Sequence, residues 1–242
     1  MSDGADGLLG SLTTISLISI FIVALVDTGT KHAIGPVGIA LLVGAMCAFI
    51  LFNSRLFGLK RAVVFMGDAG STTLGFILAY LLIDYSQVGN APISPVVAGW
   101  IIGLPLLDAS GVILRRVLSG KSPFHPDRTH LHHLIMDAGY SVNHTVLGML
   151  LIHAALISFS LIVYKVLGSA AEPYLFWGFV ALVACRASVT RIHRFDTSTE
   201  PEVNELDFQP YREQSELNVT PKVVVFSRSK ESNILKESET VE

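Results

Sequence analysis

Long apolar segments separated by short polar ones dominate the first three quarters of the chain. A helix needs about 20 mostly apolar residues to cross the hydrocarbon core of a bilayer, and in lipid a lone strand would leave its backbone groups unpaired. The pattern therefore predicts an all-α, polytopic bundle of about six transmembrane helices. The third is short, with room to begin earlier or to continue to Gln87. The predicted spans are Leu8–Asp27, Ile34–Phe52, Ser71–Ile83, Ser94–Leu114, His144–Val166 and Pro173–Val189.

Composition supports a membrane protein. Of the 242 residues, 51% are hydrophobic and 15% are charged, whereas about a quarter of the residues in a soluble domain are charged. The net charge of −3 gives no basic excess and therefore argues against a nucleic-acid partner. Cys47 and Cys185 lie in apolar runs, where we expect small buried hydrophobes rather than a disulfide or a metal site.

Lys and Arg are concentrated in alternate loops. The positive-inside rule then places the N-terminus, the loops after spans two and four, and the tail in the cytoplasm. We predict a transmembrane domain over residues 1–190 and a flexible cytoplasmic tail over residues 191–242, with one short strand at Val223–Phe226. The loop and tail cations are Arg55, Lys60, Arg61, Arg115, Arg116, Lys121, Arg128, Arg191 and Arg194, against Lys31 and Lys165 on the opposite face.

Two acidic, glycine-rich motifs precede membrane spans on the predicted cytoplasmic side. Asp3-Gly-Ala-Asp6-Gly comes before the first span, and its carboxylates share one face of a helix start. Phe65-Met-Gly-Asp68-Ala-Gly-Ser71 opens the third span. A glycine-flanked aspartate at a helix N-terminus can hold Mg²⁺ while backbone N–H groups face a phosphate. The alternative for both motifs is a helix N-cap.

The third polar cluster is the loop after span four, His125-Pro-Asp-Arg128-Thr-His130-Leu-His132-His133. Clustered histidines allow a zinc site, but no cysteine is near, and the neighbouring cations favour an anion such as phosphate. A basic loop against anionic lipid headgroups is the other alternative. It explains the cations but not the histidines.

Asp108 lies inside span four, two turns before Arg115. Acidic groups within a membrane are costly and are usually functional or paired. We therefore expect Asp108 either to have a functional role or to form a buried hydrogen bond or salt bridge, and the sequence alone favours neither. Together with the three clusters, it describes a site for phosphoryl transfer, because that chemistry needs positioning and charge stabilisation.

These motifs resemble those of the polyprenyl-phosphate N-acetylhexosamine-1-phosphate transferases. Val64-Phe-Met-Gly-Asp68-Ala-Gly-Ser-Thr is similar to that family's signature, and Ser122-Pro-Phe-His-Pro-Asp-Arg-Thr-His130-Leu-His-His is similar to its His-x-His-His loop. The Pro-Asp-Arg-x-His-x-His-His form resembles the bacterial branch that transfers N-acetylglucosamine-1-phosphate to undecaprenyl phosphate, whereas the muramoyl-pentapeptide branch typically shows three consecutive histidines. The implied reaction transfers N-acetylglucosamine-1-phosphate from UDP-N-acetylglucosamine to undecaprenyl phosphate, releasing UMP, to begin cell-envelope glycans such as O-antigen.

The resemblance also implies site residues and partners. It implies Mg²⁺, with Mn²⁺ as an alternative, and a bacterial inner-membrane location with the active face in the cytoplasm. The partners are both substrates and membrane lipid, with a homodimer left open. Asp68 is the implied metal ligand and Phe65 the residue stacked on uracil. The other implied catalytic residues are Asp3, Asp6, His130, His132 and His133, and the other implied substrate-binding residues are Arg115, Arg116 and Arg128.

One departure from the family pattern concerns the N-terminus. The family carries further helices before the position of Asp3, with an Asp-Asp motif and an asparagine that this sequence does not contain there. We therefore expect an N-terminally truncated form with impaired activity. The alternatives are the same family acting on another UDP-2-acetamido sugar, a non-catalytic membrane fragment that binds lipid phosphate or partners, and a transporter or zinc protein.

Overall fold

A computed structural model describes residues 7–27, 32–54, 62–87, 91–120, 122 and 130–195, without the side chains of residues 189–195. These ranges fold into helices and contain no strand, which confirms the all-α prediction. The predicted flexible tail and its strand at Val223–Phe226 lie outside the described residues. The helices are α1 (Leu8–Val26), α2 (Pro36–Asn53), α3 (Gly67–Gln87), α4 (Pro95–Ile101), α5 (Gly103–Leu118), α6 (Leu131–Asp137), α7 (Val142–Leu167) and α8 (Glu172–Phe195), with a 3₁₀ turn at Gly168–Ala171.

Several helices begin where the sequence carries a start signal. Pro95 is the first residue of α4, and the Ser94 side chain accepts a hydrogen bond from the backbone N–H of Val97. Ser141 caps α7 in the same way through the N–H of His144. Such caps satisfy backbone donors that a helix start leaves open, and proline suits the first turn because it has no N–H to satisfy.

Three helical stretches are long and apolar enough to cross a membrane. They are Leu8–Val26, Pro36–Asn53 and Val142–Ser188, and the bent pair α4–α5 gives a fourth if it counts as one span. The sequence-based count of six spans stays a prediction. The predicted boundary between residues 190 and 191 falls inside α8, which continues to Phe195.

Span four is not the continuous helix that the sequence predicted. The helices α4 and α5 meet at an angle of 88° at Ile102. Pro105 explains the break, because proline has no N–H for the carbonyl four residues earlier and its ring clashes with that carbonyl. The carbonyl concerned is that of Ile101, which must find another hydrogen-bond donor in an apolar environment.

Ser16 of α1 supplies that donor. Its hydroxyl oxygen lies 2.8 Å from the carbonyl oxygen of Ile101 and 3.0 Å from Nε2 of His153 in α7. Because a carbonyl can only accept, the single hydroxyl proton goes to Ile101, and His153 therefore donates its Nε2–H to Ser16. Both side chains are buried. A polar chain from α7 through α1 thus stabilises the bend of the fourth predicted span.

A small apolar cluster lies beside this bend. Leu8 and Leu12 of α1 pack there against Leu104 of α5 and against Val146 and Met149 of α7. A larger core fills the rest of the bundle and includes Tyr85 and Trp100. The small cluster matters most for the site, because it forms the apolar side of the polar groups described below.

The other end of the bundle carries a separate polar cluster. His32 bonds through Nε2 to Asp27 at 2.8 Å, and its ring stacks on Tyr85 with centroids 3.7 Å apart. The carboxylate of Asp84 accepts a hydrogen bond from the N–H of Ala33 at 3.1 Å. These contacts join the end of α1, the start of α2 and the end of α3.

Many large apolar side chains point away from the bundle, which is expected of helices whose outer surface meets lipid. The exposed side chains of Val26, Val37 and Leu41 are examples. Cys47 and Cys185 are exposed as well, so the prediction that both are buried is wrong. An apolar run does not tell which of its residues face neighbouring helices and which face outward.

We predict that Ser16→Ala destabilises the bundle, because it leaves the Ile101 carbonyl and the Nε2–H of His153 buried without a partner. Each such loss costs about 1–3 kcal/mol. The control is Ser19→Ala, since the Ser19 hydroxyl donates to the carbonyl of Ile15 within its own helix. Denaturation in detergent, monitored by circular dichroism, should show a lower midpoint for Ser16→Ala than for wild type, and an unchanged midpoint for Ser19→Ala. Equal midpoints would contradict this role of Ser16.

Candidate active site

The signature motif lies at the start of α3. Asp68 stands in the first turn of that helix, where a negative charge interacts favourably with the helix dipole. The hydroxyls of Ser71 and Thr72 donate to the backbone carbonyl of Asp68, at 3.0 and 2.7 Å. Within the described part of the chain, the Asp68 carboxylate itself has no hydrogen bond and is exposed to solvent. The carboxylate is therefore available to a ligand. A residue that served only as an N-cap would not need a free carboxylate.

The segment before α3 is fixed to the end of α2. The Asn53 side-chain amide donates to the carbonyl of Val64 at 2.6 Å, and the N–H of Val63 donates to the carbonyl of Phe52 at 2.9 Å. Asn53 is buried, whereas the neighbouring Phe65 side chain is 65% exposed. An aromatic ring that is exposed on a well-anchored segment is suited to stacking on a planar ligand.

The start of α1 lies directly against this region. Gly7 has a φ of +81°, and a Cβ at this position would approach Cβ of Ser54 to 2.8 Å. Both the conformation and the close approach require glycine. Gly7 is the last residue of the Asp-Gly-Ala-Asp-Gly motif, so this motif ends beside the segment that carries Phe65 and Asp68. Asp3 and Asp6 themselves lie outside the described residues.

The histidine motif is held by a buried carboxylate. Oδ2 of Asp108 lies 2.9 Å from Nδ1 of His130, and its Oδ1 accepts hydrogen bonds from the backbone N–H of Leu131 at 2.9 Å and from Nη2 of Arg186 at 2.8 Å. All three side chains are buried. Of the two interpretations of Asp108 that the sequence allowed, the structure shows the buried salt bridge. Its partner is Arg186 of α8.

A small cavity of about 40 Å³ adjoins this carboxylate. Its polar wall is formed by Asp108, His130 and His132, and its apolar wall includes Leu8 and Met149. A volume of this size is enough for one or two water molecules, since a single water needs roughly 10–15 Å³ by the same measure. The Nε2 atom of His132 is buried and has no hydrogen-bond partner among the residues that the structure describes, so a water in this cavity is a natural partner for it.

The three histidines differ in accessibility. His130 and His132 are buried, with stacked rings whose centroids are 6.0 Å apart. His133 is half-buried, and its ring lies 4.2 Å from that of His132. His133 is therefore the most accessible of the three to a ligand outside the bundle, while the other two face inward.

Burial lowers the pKa of His132 to about 4 from the ordinary 6.5, and the neighbouring imidazoles of His133 and His130 lower it further in the same direction. The ring is therefore neutral at neutral pH. A neutral imidazole donates a hydrogen bond from one ring nitrogen and accepts one at the other, but it adds no positive charge for a phosphate. The sequence predicts that all three histidines contact the diphosphate. Because His132 is buried and neutral, its role must differ from that of a cation bound to phosphate.

The start of α1 connects the two groups of residues. Gly7 touches the end of α2 next to the Phe65–Asp68 segment, and Leu8 forms part of the cavity that His130 and His132 line. The ends of all three sequence motifs thus meet at one end of the bundle. Arg115 and Arg116 are buried in the last turn of α5. Arg128 lies outside the described residues.

Metal binding by the histidines finds no geometric support in the described ranges, where no three His, Cys, Asp or Glu side chains are placed to share an ion. Sequence reasoning also missed two residues of the site. Asn53 directly follows the predicted second span, and Arg186 lies inside the predicted sixth span, Pro173–Val189; neither was singled out as a site residue. The signal that could have found Arg186 is a cation within an otherwise apolar predicted span.

The pKa of His132 predicts a pH-dependent stability. Because the pKa is about 4 in the folded chain and 6.5 without the fold, the unfolded chain binds more protons between these values, and the free energy of unfolding falls as the pH drops from about 6.5 towards 4. His132→Gln should remove that part of the slope. Denaturation midpoints at a series of pH values measure it, and identical slopes for both proteins would contradict the assignment.

The comparisons with known proteins agree with these motifs. Residues 1–86 match the model of glycosyl transferase family 4. The undecaprenyl-phosphate α-N-acetylglucosaminyl 1-phosphate transferase of Escherichia coli strain K12 is 44% identical over 141 residues, which is 58% of this chain and 37% of the relative. The protein of the same name from Pasteurella multocida is 38% identical over 190 residues, or 76% of this chain and 50% of the relative.

The Yersinia pestis protein of that name is 44% identical over 145 residues, covering 58% of this chain and 38% of the relative. The chain thus spans half or less of the length of these relatives. No solved structure matches it significantly. The chain is therefore similar to glycosyl transferase family 4 over residues 1–86, and to the transferases named above over as many as 190 residues.

Proposed function

We propose that this chain carries the nucleotide-diphosphate site of a transferase that moves N-acetylglucosamine-1-phosphate from UDP-N-acetylglucosamine to undecaprenyl phosphate. The observation that carries the proposal is the meeting of the motif ends around Gly7 and Leu8. An exposed carboxylate and an exposed aromatic ring lie on one side, and a rigidly held histidine helix lies on the other. The printed names of the relatives support the choice of substrates.

Asp68 fits the binding of Mg²⁺. Its carboxylate offers hard oxygen atoms, is exposed, and is not engaged by its neighbours, because Ser71 and Thr72 bond to its backbone carbonyl instead. When bound, the ion offsets negative charge on the diphosphate. Mn²⁺ has the same preference for oxygen ligands and is the alternative ion.

The remaining residues bind and orient the substrates. The ring of Phe65 stacks on the uracil, and its anchored segment fixes the nucleotide relative to Asp68. His133 is the histidine that reaches the diphosphate. The guanidinium groups of Arg115 and Arg116, with Arg128, add positive charge for the phosphates.

The proposed reaction is a displacement at phosphorus. An oxygen of the lipid phosphate attacks the phosphorus that is linked to the sugar, and a new P–O bond forms. The bond between that phosphorus and the bridging oxygen breaks, and UMP leaves with the electron pair. Held groups that stabilise charge on the diphosphate lower the barrier of such a transfer.

We place this site at the cytoplasmic face of a bacterial inner membrane. The support is the concentration of Lys and Arg in the loops on the same side as the motifs. The lipid substrate then reaches the site along the exposed apolar helix surfaces. A homodimer stays a prediction from the sequence.

We predict that Asp68→Asn removes the Mg²⁺-stimulated part of UDP-N-acetylglucosamine binding, with a loss of about tenfold or more, because the amide no longer carries the negative charge that holds the ion. The control is Asp137→Asn, an exposed carboxylate at the end of α6. The measurement is the Kd for UDP-N-acetylglucosamine with Mg²⁺ and with a chelator. Equal Mg²⁺ stimulation in wild type and Asp68→Asn would remove the proposed metal role.

We also predict that Phe65→Leu weakens nucleotide binding about tenfold, since stacking of a base on an aromatic ring contributes roughly 1–3 kcal/mol. Phe76→Leu is the matched control, because Phe76 is also exposed, at 73%, but lies on α3 beyond the Phe65–Asp68 segment. The Kd for the nucleotide is measured in wild type and in both variants by competition between UDP and UDP-N-acetylglucosamine. A similar Kd for Phe65→Leu and wild type would exclude the stacking role.

Transfer of radiolabel from UDP-N-acetylglucosamine into extractable lipid, with unlabelled UDP-2-acetamido sugars as competitors, tests the reaction itself. We expect label in the lipid phase that depends on Mg²⁺ and that N-acetylglucosamine competes away best. Better competition by another 2-acetamido sugar would reassign the donor. Nucleotide binding without Mg²⁺ dependence, and no label in the lipid, would refute the proposal.

A further inference from the structure

The carboxylate of Asp108 holds three partners at this end of the bundle. Its two oxygens accept three hydrogen bonds, from a ring nitrogen of His130, the backbone N–H of Leu131 and the guanidinium of Arg186. A buried carboxylate is stable only when charge and hydrogen bonds offset its lost hydration. None of these three contacts is between neighbours in sequence, so Asp108 connects α5 to the histidine motif and to α8.

The contact with His130 fixes which ring nitrogen carries the proton. A carboxylate can only accept, so Nδ1 of His130 must be the donor, and Nε2 of the neutral ring is then left with a lone pair. A neutral histidine without such a partner prefers the opposite arrangement, with the proton on Nε2. The same logic operates where a buried aspartate orients a catalytic histidine or a histidine metal ligand.

The contact with Leu131 fixes the start of the helix that carries the histidines. His130 is the N-cap of α6, and its own side chain makes no capping hydrogen bond. The N–H of Leu131 is instead satisfied by Asp108, which is 23 residues earlier in the chain. One carboxylate in α5 thus positions both the ring of His130 and the start of α6.

Arg186 reaches Asp108 because position 111 is glycine. A Cβ on Gly111 would lie 2.6 Å from Cγ and 3.2 Å from Cβ of Arg186. These atoms are near the backbone of α8 and cannot move aside without moving the whole side chain. Gly111 therefore allows α8 to pack closely enough for the guanidinium to bond to Oδ1 of Asp108.

We propose that Asp108 and Arg186 are positioning residues, which hold His130 in the Nδ1–H tautomer and fix α6 so that His133 is presented to the substrate diphosphate. The role in the reaction rests on the proposed function, whereas the tautomer and the fixed helix do not. Neither residue touches substrate in this account. They act through the two elements that they bond.

The test begins with the full chain in detergent micelles, labelled with ¹⁵N in the histidine rings, and with His130 assigned by its loss in His130→Gln. We expect the neutral ring of His130 to show a protonated Nδ1 and an unprotonated Nε2. Asp108→Leu keeps the size of the side chain but removes both acceptors. It should return His130 to the ordinary tautomer and speed hydrogen exchange at the N–H of Leu131. Asp137→Asn should change neither.

A second variant keeps the test decisive if Asp108→Leu does not fold. Gly111→Ala leaves Asp108 in place but displaces Arg186, so it should speed exchange at Leu131 by about tenfold. Gly148→Ala is the matched control, because a Cβ there meets nothing within 4 Å.

In the transfer assay, Asp108→Leu or Gly111→Ala should lower kcat about tenfold or more. The Kd for Mg²⁺–UDP should rise by less than kcat falls, because the Phe65–Asp68 segment keeps its nucleotide contacts when His133 is displaced.

Two results would overturn the proposal. One is a wild-type His130 in the ordinary tautomer, or a tautomer unchanged by Asp108→Leu, which would show that the carboxylate does not set it. The other is a changed tautomer with kcat at the wild-type value, which would leave no positioning role. A wild-type chain that neither binds nor transfers the sugar nucleotide would count against the proposed function. The ring spectrum and the exchange rates would still decide whether the carboxylate holds the histidine helix.

Discussion

The site depends on one buried carboxylate, that of Asp108. It meets a guanidinium from α8 and an imidazole and an N–H from the histidine motif, all at 2.8–2.9 Å. Removing one partner of a buried ion pair typically costs about 3–5 kcal/mol, because the other charge is left uncompensated. The helices α5 and α8 and the short helix α6 are therefore locked together, and the histidines are placed by the packing of the bundle.

A second constraint places α5 itself. Pro105 breaks the predicted fourth span and releases the carbonyl of Ile101, which Ser16 of α1 then satisfies. This turns α5 so that Asp108 and Leu104 face the start of α1 across a small cavity. Because Gly7, at that start, also touches the end of α2, the same helix joins the histidine group to the segment that carries Phe65 and Asp68.

The sequence predicted the helices well because apolar runs that long have few stable structures other than a helix in lipid. It also predicted that the three motifs lie on the same side of the membrane, because Lys and Arg are concentrated in the loops on that side. It could not predict the bend at Ile102, where the carbonyl of Ile101 accepts a hydrogen bond from Ser16, 85 residues earlier. Nor could it predict the pairing of Asp108 with Arg186 across 78 residues. It was wrong about Cys47 and Cys185, because an apolar run does not distinguish a buried face from an outward one.

The central claim is that the start of α3 and the histidine helix form one nucleotide-diphosphate site. Titration of the ¹⁵N-histidine chain with UDP and paramagnetic Mn²⁺ tests this directly, because the ion broadens resonances of nuclei close to it. We predict broadening of the ring resonances of His133 first, with none in the Asp68→Asn chain and none with Mg²⁺ in place of Mn²⁺. Sharp histidine resonances at concentrations where Mn²⁺ and UDP bind through Asp68 would show that the two groups are separate sites.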